Sequence, residues 1–574
     1  AELPGGDALP AAIAAGETPS PDLLIASGSK EGLRPAAAVA LVVFIVAGTV
    51  AAAFMSDRVS LAQRANLTRP PDALVERARD LLRKLDYAED VAVDSASGFF
   101  VDQDAALYAA DTISDRPNGL EAAGVVGYFY RESPRPLLGV GPLGGVEPNN
   151  PVMEYPGEVA VHMDGQGRLR SFRAVPPRTD ANAPVASPEW PALFSAAGLE
   201  IERWMPSDPQ WTPVFFADSR VAWTGTLPYA PNDQARIEAA SYRGKPVSFV
   251  VVGPWTSPEP VLGFTGGVQR GSSSAIYVFL VFIFLVLGSS AAFFARQNLR
   301  LGRGDRRGAT RVMLLTLTGW TISWLAIEHH VASFGEVALA AAFIGLFIPI
   351  VSLLWVFYIA VEPFARRRWP AILVSWNRIL AGDFRDPLVG RDASIGVAAG
   401  VAAVVLLQAG AIAQAALGQP LSEPLSLDWN MFNGPRPFVG SLFGFTSSAV
   451  AGGLGSLLEL LLYRVLLRRD WAAIVALVLH SVILNLTGTF WTLIIATAAS
   501  ISLSVFVLVR IGLLAYVVHS LVANLLVASS LTADTSAWYA GIGYGVLLVC
   551  AVIMMYGLRT ALAGRPVMST VGMD

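Results

Sequence analysis

The sequence predicts a polytopic α-helical membrane protein: about ten transmembrane helices, with an extracytoplasmic α+β domain inserted between the first and second. Three observations carry this. Hydrophobic residues make up 53% of the chain and charged residues only 15%, against about 25% charged in soluble domains. The polarity is segregated: residues near 57–272 are polar and punctuated by Pro and Gly, whereas 274–557 is a succession of apolar windows. The cationic residues, finally, fall in every second loop between those windows.

The windows lie near 36–55, 274–295, 312–328, 336–361, 395–416, 439–463, 471–488, 490–509, 511–531 and 538–557, and about 18–25 apolar residues suffice to span a bilayer. No basic segment and early apolar core mark a cleavable signal peptide, so 36–55 reads as an anchor. Arg296, Arg300, Arg303, Arg306, Arg307 and Arg311 follow the second window and Arg366–Arg368 the fourth; Arg468 and Arg469 follow the sixth, Arg510 the eighth, and Arg559 and Arg565 the tenth. The positive-inside rule makes these loops cytoplasmic. Both termini are then expected in the cytoplasm, with 57–272 outside.

Between the fourth and fifth windows, 362–394 reads as a cytoplasmic connector. Its Trp369–Ser394 part, with Trp376, Arg378, Phe384, Arg385 and Arg391, is an amphipathic stretch suited to the membrane surface.

Within 57–272, Leu74, Ala78, Leu81 and Leu82 have helical spacing behind Pro71, which predicts a helix over Asp72–Leu85. Gly157–Pro176 alternates as a hairpin turning at Asp164-Gly165-Gln166-Gly167. A helix over Pro188–Leu199 and a hairpin over Ala235–Val252, turning at Arg243-Gly244-Lys245-Pro246, repeat that order and suggest a duplicated module. This domain has no Ser/His/Asp grouping, HExxH or metal spacing. His162 stands alone in a strand and reads as structural. Binding, sensing or scaffolding is its expected work.

A net charge of −4 and the lack of a basic aqueous patch argue against nucleic acid as a partner. The single Cys550 excludes an intrachain disulfide and a cysteine-rich zinc site. Glu328, His329 and His330 are adjacent at the outer end of the third span; three consecutive side chains on a regular helix diverge, so they do not read as a metal site.

Only Glu459, His480 and His519 are ionisable and well inside the apolar windows. On the helical rise they lie about 13 Å in from Arg468, 15 Å from Asp470 and 13 Å from Arg510, a common depth in the cytoplasmic half. A charged group there costs at least about 2.5–3.5 kcal/mol and is usually functional. A carboxylate and two imidazoles are groups that activate water. The small-residue run Ala449–Ser456 before Glu459 would admit a neighbouring helix closely. A proton site in a transporter is the competing use of such a glutamate, but no inverted repeat or pair of broken helices supports it.

Glu459-Leu-Leu-Leu-Tyr-Arg464, His480 and His519 resemble the three motifs of the CAAX-processing and bacteriocin-processing (CPBP) intramembrane proteases, EExxxR, FxxxH and HxxxN or HxxxS. The resemblance covers about 395–557. It implies a glutamate-type endopeptidase acting on a peptide or protein substrate within the membrane, Glu459 activating water and His480 and His519 assisting and stabilising the oxyanion. Arg464, Asn524 and Asn485 would be supporting residues. Leu460 stands at the second Glu, Ala476 at the motif aromatic and Ala523 at i+4 from His519. Asn524, at i+5, points about 140° away from His519 unless a π-bulge intervenes. Active protease and altered protease-like module therefore both stand. No cofactor or metal is implied: Glu and two His could bind zinc, but no HExxH spacing supports it.

The first 35 residues read as a cytoplasmic linker. LPGGDALPAAIAAGETPSPD resembles the stretch that follows the catalytic domain in bacterial membrane-anchored Ser/Thr protein kinases. That implies a fused kinase as a partner and a bacterial cytoplasmic membrane as the location. No kinase catalytic motif occurs in this sequence. Residues 558–574 read as a cytoplasmic tail. A sensor or anchor relaying the outside domain's state to such a kinase is the alternative to hydrolysis.

Overall fold

A computed structural model of the chain describes residues 32–87, 92–109, 119–141, 143–179, 187–256, 274–417, 427–484 and 491–563, together with Ser20 and Leu23. The kinase-like N-terminal stretch, apart from those two residues, Asn485 and the segment 564–574 lie outside the described residues.

The chain is mostly helical with a separate antiparallel sheet domain. Helix α1 is Pro35–Val59, α2 Leu61–Arg64 and α3 Pro71–Lys84. Pro71 opens α3 because its missing N–H would be unsatisfied in the first turn anyway. Its four expected apolar positions, Leu74, Ala78, Leu81 and Leu82, are the buried ones. After β1 (Asp94–Val101) come the short helices α4 (Gln103–Tyr108) and α5 (Gly119–Ala123), then β2 (Val126–Ser133), β3 (Val159–Asp164) and β4 (Leu169–Ala174). Helix α6 (Trp190–Ala196) precedes β5 (Met205–Ser207), β6 (Ser219–Leu227), β7 (Ala230–Tyr242) and β8 (Lys245–Val252).

Both expected hairpins form. In the second, Arg243 (φ 50°) and Gly244 (φ 78°) are both left-handed, as a two-residue hairpin turn demands. All eight strands make one sheet in the order β1-β2-β3-β4-β8-β7-β6-β5. Each half is a four-stranded meander, and the halves join antiparallel through β4 and β8, where Phe172 stands opposite Phe249. Leu74 and Leu82 of α3, with Leu193 and Phe194 of α6, pack into one core with Tyr128, Phe172, Trp223 and Phe249 of the sheet.

The helical part comprises α7 (Ser274–Arg300), α8 (Arg306–Ile327), α9 (Gly335–Arg368), α10 (Pro370–Ala381), α11 (Pro387–Ala416), α12 (Pro435–Leu467), α13 (Asp470–Leu484), α14 (Trp491–Arg510), α15 (Leu513–Ala528) and α16 (Ala540–Ala561). Each predicted window overlaps a helix; residues 485–488 of the seventh window lie outside the described residues. Among the described residues, seven are long and apolar enough to cross a membrane: α1, α8, α9, α11, α12, α14 and α16. α13 and α15 are apolar but shorter. The window at 511–531 overran α15 because Gly512 (φ 144°) and Ser530 (φ 48°) are apolar or neutral by composition yet break the helix by conformation.

The connector at 362–394 differs most from expectation. α9 continues through the arginine triplet to Arg368, and α11 begins already at Pro387. Between them α10 buries every residue from Ile372 to Arg378, so it packs into the bundle rather than lying on its surface. Arg378 can be buried because it pairs with Asp386 at 2.8 Å. Pairing is what permits a charge inside.

Candidate functional site

Glu459 lies in the last third of α12, with Ser456 one turn before it and Tyr463 one turn after. This is the face an α-helix presents at i−3 and i+4. Gly453 brings α15 against this stretch: a Cβ there would meet Leu513, Val517 and Tyr516 at 3.0–3.3 Å. The expected close approach of a neighbour to the small-residue run is thus realised by α15, while Gly452 and Gly455 face open space.

The Glu459 carboxylate Oε2 stands 3.4 Å from Nδ1 of His480 on α13, with side-chain exposures of 20% and 11%. The Glu459 side chain keeps a partly exposed edge, whereas both ring nitrogens of His480 are buried. The Tyr463 ring meets the His480 ring edge-on at 6.0 Å between centroids. Across the helix pair, the Tyr516 hydroxyl lies 3.1 Å from Ser456 Oγ. A carboxylate, an imidazole and hydroxyls from two tyrosines and a serine therefore line one stretch of α12.

His519 is placed differently. It is 3% exposed, and its Nε2 lies 2.7 Å from Ser504 Oγ of α14. Ser504 in turn donates to the Ser500 carbonyl at 2.9 Å. Among the described residues no three His, Cys, Asp or Glu side chains gather as a metal would require, so Glu459, His480 and His519 do not form one such cluster. On α15, Tyr516 faces α12, and His519, rotated by about 60° at i+3, faces α14. Glycines of α11 allow α15 to pack closely on it: a Cβ on Gly396 would come within 2.7 Å of the Ala515 carbonyl, and one on Gly400 within 2.9 Å of that of His519.

The supporting residues also sort out. α15 is uninterrupted α-helix, so no π-bulge returns Asn524 to the His519 face. It is exposed and reaches Ser520 at 3.5 Å. Leu460 is buried where the family pattern has its second carboxylate, and Arg464 instead bonds Asp470 at the start of α13. Arg368 binds the other oxygen of Asp470 at 3.0 Å. These two bonds link the ends of α9, α12 and α13.

Tyr516, Ser456 and Tyr463 were not singled out from sequence. Their signal was helical spacing from Glu459 and His519. A second group escaped because it lies just beyond the window edge: Glu362 and Arg366 of α9 pair at 2.8 Å with 2% and 3% exposure, beside Tyr358, which is fully buried. Arg366 also donates to the Arg303 carbonyl at 2.7 Å. The adjacent trio at the end of α8 does not converge either. His329 contacts both Asp94 oxygens, at 2.9 and 3.1 Å, while His330 turns to Glu336 at 2.5 Å.

Comparison with protein-family models, with curated proteins and with solved structures gave no match for this chain.

Proposed function

We propose that this chain is an intramembrane peptidase of the glutamate type, hydrolysing a peptide bond of a membrane-embedded protein with water activated at Glu459. The observation that carries the reading is the 3.4 Å contact between Glu459 Oε2 and His480 Nδ1 on apolar helices. A carboxylate beside an imidazole can take a proton from water and pass it to a leaving amine. The hydroxyls of Tyr516 and Tyr463 are the nearby donors suited to a developing oxyanion. His519, bonded to Ser504, serves in this reading to position α15 and with it Tyr516, rather than to touch substrate. The reading includes ten spans, arginine-bearing loops and both termini in the cytoplasm, and the sheet domain outside.

The test is quantitative mapping of new protein N-termini in membranes of cells expressing the wild type, Glu459→Gln or His480→Ala at matched levels. New termini within apolar segments should appear with the wild type and vanish with either variant. Identical sets from wild type and Glu459→Gln would overturn the reading.

A second reading, a sensor or anchor that relays the state of the sheet domain to a fused kinase, is favoured by the way that domain is held. Phe99 of β1 stacks on Trp538 at 5.8 Å and lies 6.0 Å from Trp429, the Trp538 indole donates to the Leu67 carbonyl at 3.0 Å, and Asp94 pairs with His329. A domain so fastened transmits its own changes to the helices beneath it. Persistence of signalling with loss of all proteolytic products in Glu459→Gln would separate this role from hydrolysis.

A further inference from the structure

Helices α13 and α14 run antiparallel and leave a groove of about 360 Å³ between their outer faces. That is within the range of small-molecule sites, about 300–1,000 Å³. Its walls are apolar, with Val475 and Leu479 from one helix and Val505 and Phe506 from the other; Ser502 lies within it and Arg510 ends it. Val475, Leu479 and Phe506 are exposed. The groove lies on the face of α13 opposite His480, because positions 475 and 479 sit about 100–140° from 480 around the helix. It is therefore separate from the Glu459 pair.

Charge decides the occupant. Arg510, at the end of α14, is exposed. The start of α13 shares that end of the groove and brings Arg468 and Arg469, also exposed. The one acid there, Asp470, is already bonded by Arg464 and Arg368, so the end of the groove keeps a positive field. Basic sites between transmembrane helices are suited to anionic lipid headgroups.

We propose that this groove binds one anionic phospholipid, its acyl chain along the apolar walls and its phosphodiester on Arg510. The lipid touches α13, which carries His480, and α14, which carries Ser504, the partner of His519. It thus braces the two helices on which both histidines depend.

The full chain is reconstituted in nanodiscs of mixed phosphatidylglycerol and phosphatidylcholine, re-extracted in mild detergent, and its retained lipid quantified by mass spectrometry. Wild type should retain phosphatidylglycerol about fivefold over phosphatidylcholine, the effect expected of one arginine at a membrane surface. Arg510→Gln should abolish the preference and Arg510→Lys keep it. Ser502→Trp, which fills the groove from an exposed position, should remove the retained lipid while circular dichroism stays unchanged. Equal retention of both lipids by the wild type, or undiminished phosphatidylglycerol on folded Ser502→Trp, overturns the proposal. Lipid retention is read without any cleavage assay, so this outcome is independent of the hydrolytic reading.

Discussion

His329, just past the end of α8, sets its Nε2 2.9 and 3.1 Å from the two carboxylate oxygens of Asp94, the first residue of the sheet. Asp94 also receives the Leu137 N–H at 2.8 Å. The sheet domain and the helical bundle therefore share a polar fastening at one corner, and at another an aromatic one made by Phe99, Trp429 and Trp538. A double-mutant cycle with Asp94→Asn and His329→Gln should give a coupling of about 0.5–3 kcal/mol. Hydrogen exchange in β1 should rise in either variant. Strict additivity would show that the two residues do not hold the domains together.

His162 makes the sheet domain sensitive to acid. Burial holds its imidazole well below the ordinary value, and the charges of Arg173 and Arg131 lower it further. The unfolded chain takes up this proton below about pH 6.5, and the folded chain does not. Stability is therefore whole above that value and falls as pH drops through it, by at most about 1.4 kcal/mol per pH unit. Phe100 meets the ring edge-on at 5.5 Å, so His162→Gln sacrifices some packing but should flatten the slope between pH 6.5 and 5. An unchanged slope in denaturant titrations would assign the acid sensitivity elsewhere.

Two arginines near the ends of α9 and α12 should differ in weight. Arg366 and Glu362 are both buried, and removing one leaves the other's buried polar atoms without that partner, a loss of about 1–3 kcal/mol. Arg464 and Asp470 are partly exposed, and such pairs contribute about 0–1 kcal/mol. Arg366→Ala should thus unfold in detergent at markedly lower temperature than Arg464→Ala. Equal losses would contradict the burial argument.

The close packing of α11 on α15 can be probed at Gly400. A Cβ there would stand 2.8 Å from Val522 and 2.9 Å from the His519 carbonyl, tighter than side chains tolerate. Gly400→Ala should cost about 1–3 kcal/mol through overpacking, despite its better helix propensity. Unchanged thermal unfolding would mean that the helices part freely.

How much of this was legible in the sequence varies with the interaction that decides it. Helices and hairpins of the sheet domain followed from local spacing: Leu74 to Leu82, or Arg243-Gly244, fix their own structure. Each apolar window overlaps a helix among the described residues for the same reason. The buried α10 was not legible, because its cationic Arg378 finds its partner, Asp386, only after the chain turns at Gly382 (φ 97°). In the candidate site, the helix that carries each residue was readable, whereas the direction each side chain faces was not. Glu459 and His480 meet, whereas His519 faces Ser504 and Tyr516 faces Ser456. Those contacts join residues from different helices: spacing groups Ser456 with Glu459 and Tyr516 with His519 along each helix, but does not say which helices meet.

If Glu459 and His480 form one hydrolytic unit, cleavage kinetics will show it. Purified wild type, Glu459→Gln, His480→Ala and His519→Ala would be reconstituted in liposomes with a fluorescence-quenched peptide library built on apolar transmembrane segments. Loss of a general base typically lowers rates about 10²–10⁴-fold. Losses in that range are expected for Glu459→Gln and His480→Ala, with a smaller loss for His519→Ala. Cleavage by Glu459→Gln at the wild-type rate would contradict it.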